Sequence, residues 1–526
     1  MNAEKMTIDS LIRRGALAFP ARPAVQDARR ALTYGELDGE VDALAVALLG
    51  LGVRKGDRVA SLFFNEWQAV VVYFATLRIG ALIVPINHRL VAAEIAFQLR
   101  SADCGVLVYA DDLESTVAHL RGVVPVKHWI AAGVSDPGAG EHRLEQLLDE
   151  HRGRTPEPGW SVGAEDPSGV WFTSGTTGDP KGAVTTHASG LWAATGMALA
   201  MGMTEQHKLL GVAPLFHRGP MEVFHVAGFL VGCSHVLMHH FEPLTMLRTI
   251  QEHRLTHGFI VPAMTFAVLD RPERGEYDLT SMEGWMTASA AFPEEYRSRL
   301  ETETSLRPHK IFNAYGITES LMNTLLWPPD AAAHPGSVGR AAPGVLLRVL
   351  DGDRRPVAAG EVGEIAIAAP SIASTYLGKP EMWKAVTFEE HGRVWYLSGD
   401  LGRLDEDGYL YIVDRVKDMV ITGGENVYCA EVERVLIAHP RVHDVAVIGV
   451  PDERWGECVA AVVVSCPDTD VTLADLLEFC AGRLAPYKRP KRVFVVDALP
   501  RNSFGKVQKQ RIRTLVAGLE GAALPT

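Results

Sequence analysis

Glycine, hydroxyl residues and a lysine are concentrated in one stretch, Trp171-Phe-Thr-Ser-Gly-Thr-Thr-Gly-Asp-Pro-Lys-Gly182. Thr173, Ser174, Gly175, Thr176, Thr177 and Gly178 precede Lys181, and a strand-like lead, Gly169–Phe172, runs into them. Residues of these types can bind phosphate. Glycines let successive backbone N–H groups converge on phosphate oxygens, hydroxyls add donors, and the lysine adds charge. The spacing is not that of a P-loop, because Lys181 follows a proline and precedes a glycine. A plain surface loop has similar composition, but the position directly after a buried-looking strand favours phosphate.

Five further segments follow in order: Asn313-Ala-Tyr-Gly-Ile-Thr-Glu319, Gly360-Glu-Val-Gly-Glu364, Tyr396-Leu-Ser-Gly-Asp400, Asp414-Arg-Val-Lys-Asp418 and Pro500-Arg-Asn-Ser-Phe-Gly-Lys506. Together the six segments resemble, over nearly the whole chain, the adenylate-forming superfamily of acyl-CoA synthetases, peptide-synthetase adenylation domains and beetle luciferases. The resemblance implies an α/β fold with a large, multi-subdomain N-terminal adenylation domain, residues 1–416. A small mobile α+β C-terminal domain, residues 417–526, follows it. The implied activity is an ATP-dependent, AMP-forming ligase that converts a carboxylic acid to an acyl-adenylate and passes it to coenzyme A.

Adenylation brings two anions together, the acid's carboxylate and the α-phosphate, while magnesium pyrophosphate leaves. Cationic and metal stabilisation of the spreading charge should therefore dominate the catalysis. On the family pattern the Thr173–Gly178 loop and Lys181 wrap the leaving phosphates. Glu319 holds Mg²⁺, a role suited to a hard carboxylate. Thr318 supports the α-phosphate and Tyr315 packs near the adenine. Asp400 accepts hydrogen bonds from both ribose hydroxyls with its two oxygens, and Arg415 contacts the ribose and phosphate region. Lys506 resembles the catalytic lysine that reaches the carboxylate and α-phosphate; Gly505 and Lys509 fit the same pattern. Phe504 replaces a small residue and Ser398 the usual threonine, and neither change removes a charge. Ala288 and Ser289 stand where the family often has paired glycines, and their added side chains are expected to narrow the adenine or acyl site.

Pro486-Tyr-Lys-Arg-Pro-Lys-Arg492 places four cations in five positions beside an aromatic, inside an otherwise acidic chain. A charge run is often only a solvated face. This one resembles the segment of some aryl-CoA ligases that stacks an aromatic on the coenzyme A adenine and pairs cations with its phosphates. The matching residues are Tyr487, Lys488, Arg489 and Lys491, joined by Trp455 and by Arg89 of the large domain. Gly423 and Gly424 resemble the loop lining the pantetheine tunnel. One site for two half-reactions needs Lys506 and that loop to exchange places, which the family does by rotation about one residue, matched here by Lys417. A short hinge at an element end suits such a motion. Cys429 stands where proline is common and is expected simply to pack.

The acid pocket is read from family position alone. His217, in Ala213-Pro-Leu-Phe-His217, borders the acid and acts as a gate; Phe266, Ala290, Gly316, Met322 and Asn323 are the expected walls. Arg218 is unusual after His217, and is expected either to pair with a second polar group on the substrate or to point outward. An aromatic or medium-chain monocarboxylic acid is the expected substrate. Delivery to a carrier protein's phosphopantetheine is the nearest alternative, and a catalytically dead ligand sensor a more distant one.

The elements that must hold these residues read as multidomain α/β. At 526 residues the chain exceeds one core. From Arg58 to Ala110, strand-like runs (Val59–Phe64, Leu82–Ile86, Val106–Tyr109) alternate with helical ones (Trp67–Ile79, Val91–Arg100), which implies a parallel sheet covered by helices. Beyond Asp414–Asp418, strands Val442–Val450 and Val459–Val464 and helices Glu431–His439 and Leu473–Leu484 make a second, small unit. A net charge of −13 argues against a nucleic-acid partner, which would need a basic face. The six cysteines have no CxxC spacing, which fits a reduced cytoplasm rather than a zinc site or disulfide framework. The longest apolar stretch, Val223–Met238, is interrupted by His225 and His235 and is too short to span a membrane. A soluble cytoplasmic enzyme is expected, with its oligomeric state open, a homodimer included.

Overall fold

A computed structural model describes residues 6–133, 138, 140–173, 180–288, 292–422, 425–452, 455–501 and 507–522. The chain forms two compact units, Met1–Leu347 with Ile367–Tyr396, and Arg348–Ala366 with Leu397–Thr526. The division expected after residue 416 falls inside the second.

The first unit is built on two large sheets. Strands Arg58–Leu62, Leu82–Pro85 and Val106–Ala110 alternate with helices Trp67–Arg78 and Ala92–Ser101, as the apolar pattern requires. The three strands are parallel, with Val59 opposite both Ile83 and Val106. Trp67–Arg78 is apolar nearly all round because nearly all of it is buried. Its sheet has eight strands and carries the hairpin Pro167–Thr173/Lys181–Thr186, with Thr375–Tyr376 at the edge beyond it. The second sheet has nine strands. Gly284–Ala288 and Ile311–Ile317 run parallel within it, and Leu321–Leu326 turns back antiparallel.

The stretch Val223–Met238 divides among a π-helical turn, Gly219–His225, a helix, Val226–Val231, and a strand, Ser234–Leu237. Its two histidines meet in the core, Nδ1 to Nδ1 at 2.8 Å. Burial pulls His225 down to about 3 and His235 in the same direction, so both rings are neutral and one N–H donates to the other. Among the described residues no helix is long and apolar enough to cross a membrane.

In the second unit, the hairpin Val442–Asp452/Gly456–Ser465 is apolar on both faces because both are covered. Val445, Val447, Val459, Ala461 and Val463 pack with Val432 and Leu436 of helix Cys429–Leu436 and with Leu476 of helix Leu473–Cys480. The intervening Ala446, Ile448, Cys458, Ala460 and Val462 pack with Ile512 and Val516 of helix Lys509–Ala522. The period of two thus sorts each strand onto two cores.

Candidate active site

The hairpin that ends at Thr173 and resumes at Lys181 pairs these two residues directly, and the Thr173 hydroxyl donates to the Lys181 carbonyl at 3.5 Å. Trp171, 2% exposed, roots the hairpin in the core. Ser174, Gly175, Thr176, Thr177 and Gly178 lie outside the described residues, as do Ala290, Gly423, Gly424 and Lys506. Lys181 Nζ lies 5.2 Å from the ring centroid of Tyr376, within range of a cation–π contact.

Tyr376 joins that lysine to Glu319. Its hydroxyl donates to Glu319 Oε1 at 2.8 Å and lies 3.2 Å from the Tyr396 hydroxyl. Burial raises the pKa of both phenols, and the Glu319 charge raises them further, so both stay protonated. Trp383 packs against both rings, at 5.1 and 5.3 Å between centroids. The Ala373 N–H holds the Glu319 carbonyl at 2.7 Å. The Thr318–Glu319 turn is tight: Leu321 takes φ +64, and a Cβ on Gly316 would lie 2.1 Å from the Leu321 carbonyl oxygen. Gly316→Ala should therefore destabilise the hairpin by about 1–3 kcal/mol rather than merely trim the pocket, read as a lower Tm. Tyr315, on the same strand, is part-buried.

The sequence reading omitted Tyr376. Its partner is 57 residues away, and only the polar tip of an aromatic in Ser374-Thr375-Tyr376 hinted at a role.

Asn65 ties down the segment that leads to His217. Its amide donates to the Gly211 and Ala213 carbonyls at 3.2 and 3.1 Å and accepts from the Leu215 N–H at 2.9 Å. His217 is part-buried; burial, then the Arg89 charge, holds its pKa well below the usual value, so the ring is neutral at pH 7. Phe266 packs on Tyr296, ring centroids 4.0 Å apart and planes tilted by 36°. Met322 and Asn323 are buried on neighbouring positions of one strand; Asn323 Oδ1 accepts from Ser320 Oγ at 2.7 Å. Arg218 does not point outward. It is 2% exposed and its Nε donates to Glu222 Oε2 at 2.7 Å, because a guanidinium enclosed by helix and strand needs an internal counter-ion.

In the second unit, Asp400 and Arg415 face each other across an antiparallel ladder, with Arg415 Nε 3.1 Å from Asp400 Oδ1. Asp400 is buried, and its N–H donates to Ser398 Oγ at 3.1 Å, a bond the serine hydroxyl supplies as a threonine would. Glu364 Oε1 accepts from the Gly399 N–H at 3.0 Å; Gly399 sits at φ +72. Lys417 is exposed between two buried aspartates. Asp414 Oδ2 accepts from the Ala430 N–H at 3.3 Å, and Arg513 reaches Asp418 at 3.2 Å. Cys429 Sγ donates to the Asp418 carbonyl at 2.9 Å, and burial pushes its thiol up to about 12, so it packs as a neutral side chain.

Of the cationic segment, Lys491 Nζ lies 4.2 Å from the centre of the Trp455 ring, bringing two expected partners together. Lys488 is already paired with Glu431 at 2.8 Å. Tyr487 is 38% exposed, and Arg489 Nε donates to the Leu484 carbonyl at 3.0 Å. Arg89 belongs to the first unit.

Residues 12–377 match the family model described as AMP-binding enzyme, and residues 431–506 that of the AMP-binding enzyme C-terminal domain. The chain is 34% identical to the long-chain-fatty-acid–CoA ligase FadD13 of Mycobacterium tuberculosis, over 92% of each chain. It is 35% identical to a feruloyl-CoA synthase of an Amycolatopsis species, over 95% of this chain and 97% of that one. The solved anthranilate CoA ligase AuaEII, in complex with anthranoyl-AMP, is 27% identical, with a TM-score of 0.87 over 100% of this chain and 99% of that one. The ordered motifs, the α/β architecture and these matches agree, and the chain belongs to the AMP-binding, adenylate-forming enzymes, in their acid–CoA ligase branch.

Proposed function

We propose that this AMP-forming acid–CoA ligase activates an aromatic or medium-chain monocarboxylic acid. The carrying observation is the chain of contacts Lys181–Tyr376–Glu319, which sets a cation and a buried, oriented carboxylate around one phenol. Lys181 and the loop from Thr173 to Gly178 hold the leaving phosphates, and Thr318 the α-phosphate. Glu319 fits Mg²⁺: it is a hard oxygen donor whose carboxylate plane the Tyr376 hydroxyl fixes. Among the described residues no group of three or more His, Cys, Asp or Glu could hold a metal. When bound, Mg²⁺ would neutralise charge on the leaving pyrophosphate. Asp400 and Arg415 hold the ribose, Tyr315 the adenine, and Lys506 stabilises charge at the reacting carboxylate and α-phosphate.

The monocarboxylic preference rests on Arg218, whose charge is answered by Glu222 rather than held for a second carboxylate. His217, neutral, and Phe266, Gly316, Ala290, Met322 and Asn323 border the acyl chain or ring. A panel of acids measured for ATP-dependent AMP release tests this. Aromatic and medium-chain monocarboxylic acids should lead; equal turnover at every chain length, or a dicarboxylic acid at the top, contradicts it.

For the second half-reaction, residues 417–526 rotate about Lys417, withdrawing Lys506 and bringing in Gly423 and Gly424. Tyr487, Lys488, Arg489, Lys491, Trp455 and Arg89 receive the nucleotide end of coenzyme A. Arg489→Ala should raise KM for coenzyme A about tenfold, the worth of one charge-assisted hydrogen bond. An unchanged KM would favour delivery to a carrier protein, which brings no 3′-phosphate. The cytoplasm, which supplies ATP and coenzyme A, is the proposed compartment.

A further inference from the structure

Arg218 is tied to several segments of the proposed adenylation site. Its guanidinium and the Glu222 carboxylate are both buried, one helical turn apart. Beyond Glu222, its terminal nitrogens donate to the Thr318 carbonyl at 2.7 Å, Ser189 Oγ at 3.1 Å and the Ser371 carbonyl at 3.5 Å. Each acceptor lies on a segment that carries a site residue. The Thr318 carbonyl belongs to the peptide bond leading into Glu319. Ser189 forms a capping box with Thr186, the last residue of the strand that starts at Lys181. Ser371 Oγ donates to the Ser320 carbonyl, and Ser371 leads into Ala373 and Tyr376, both of which bond Glu319. Arg218 itself follows His217. On the far side, the Tyr73 hydroxyl donates to Glu222 Oε1 at 3.3 Å.

We infer that Arg218 is a positioning residue, which fixes the Thr318–Glu319 turn against Lys181 and His217 and acts on adenylation through the orientation of Glu319, without touching substrate. This rests on the proposed assignment of Glu319 to Mg²⁺. Tyr376, bonded to the carboxylate itself, is the kind of partner that typically accounts for about 10- to 100-fold in metal affinity or activity, and Arg218 acts one step further out, through the Thr318 peptide. Breaking one side of a buried ion pair endangers folding, whereas replacing both sides with apolar residues of similar volume is often tolerated.

The test is the Mg²⁺ dependence of ATP binding by the full-length chain, measured by titration calorimetry, beside that of acid-dependent AMP release, for the unaltered protein, Arg218→Lys, the double variant Arg218→Met/Glu222→Leu, and Glu319→Gln. Both Arg218 variants should raise the half-saturating Mg²⁺ concentration severalfold, up to about tenfold, and leave KM for the acid unchanged. Glu319→Gln should raise it at least as far. Unshifted Mg²⁺ dependence in folded Arg218 variants, with Glu319→Gln shifted, overturns the positioning role and leaves the metal assignment standing. An unshifted Glu319→Gln variant overturns the assignment beneath it. Failure of both Arg218 variants to fold would make the ion pair a folding element only, which also overturns the inference.

Discussion

Replacing Lys506 with alanine is expected to slow acyl-adenylate formation about 10²- to 10³-fold, the usual cost of removing one donor aimed at developing charge. Transfer of a supplied acyl-adenylate to coenzyme A should stay near its original rate. The asymmetry follows from the proposed rotation about Lys417, which needs Lys506 only in the first half-reaction. Single-turnover assays of each half, run separately, check it. Equal slowing of both halves would mean that Lys506 serves folding or a step common to both.

Glu319→Gln should lower kcat/KM for ATP about 100-fold, because the amide keeps the shape and an acceptor for Tyr376 but loses the charge proposed to hold Mg²⁺. Tyr376→Phe should cost about tenfold by the same measure, since it frees the carboxylate without neutralising it. Acid-dependent pyrophosphate exchange reads both. Unchanged Tm values would place the losses in the site rather than in the fold. A Tyr376→Phe loss as large as that of Glu319→Gln would instead give the phenol a direct part in the chemistry.

Much of the fold was legible because local pattern and burial agree. The parallel strands at Val59, Ile83 and Val106 and the helix from Trp67 are apolar in the runs that a covered sheet demands. The hairpin Val442–Asp452/Gly456–Ser465 is apolar on both faces for the same reason. The inclusion of Arg348–Ala366 and Leu397–Val416 in the second unit was not legible, since it depends on contacts between segments far apart in sequence. The site shows the same division. Pairing of Asp400 with Arg415 and contact of Lys491 with Trp455 join residues singled out from motifs. Tyr376 and Asn65 are linked to the site by hydrogen bonds to residues distant in sequence, which have no period and no local composition, whereas Glu222 stands four residues after Arg218, a pairing that counts only once the segment is known to be helical and enclosed. Arg218 stood out as an unusual residue, but its direction could not be read without knowing what encloses it.

The central claim is that one chain forms an acyl-adenylate and then hands it to coenzyme A. The most direct test is AMP release from ATP, Mg²⁺ and an aromatic or medium-chain acid, measured with and without coenzyme A. Acid-dependent AMP release that rises sharply on adding coenzyme A, with the matching thioester as product, is the predicted result. Acid-dependent pyrophosphate exchange with no response to coenzyme A would contradict it.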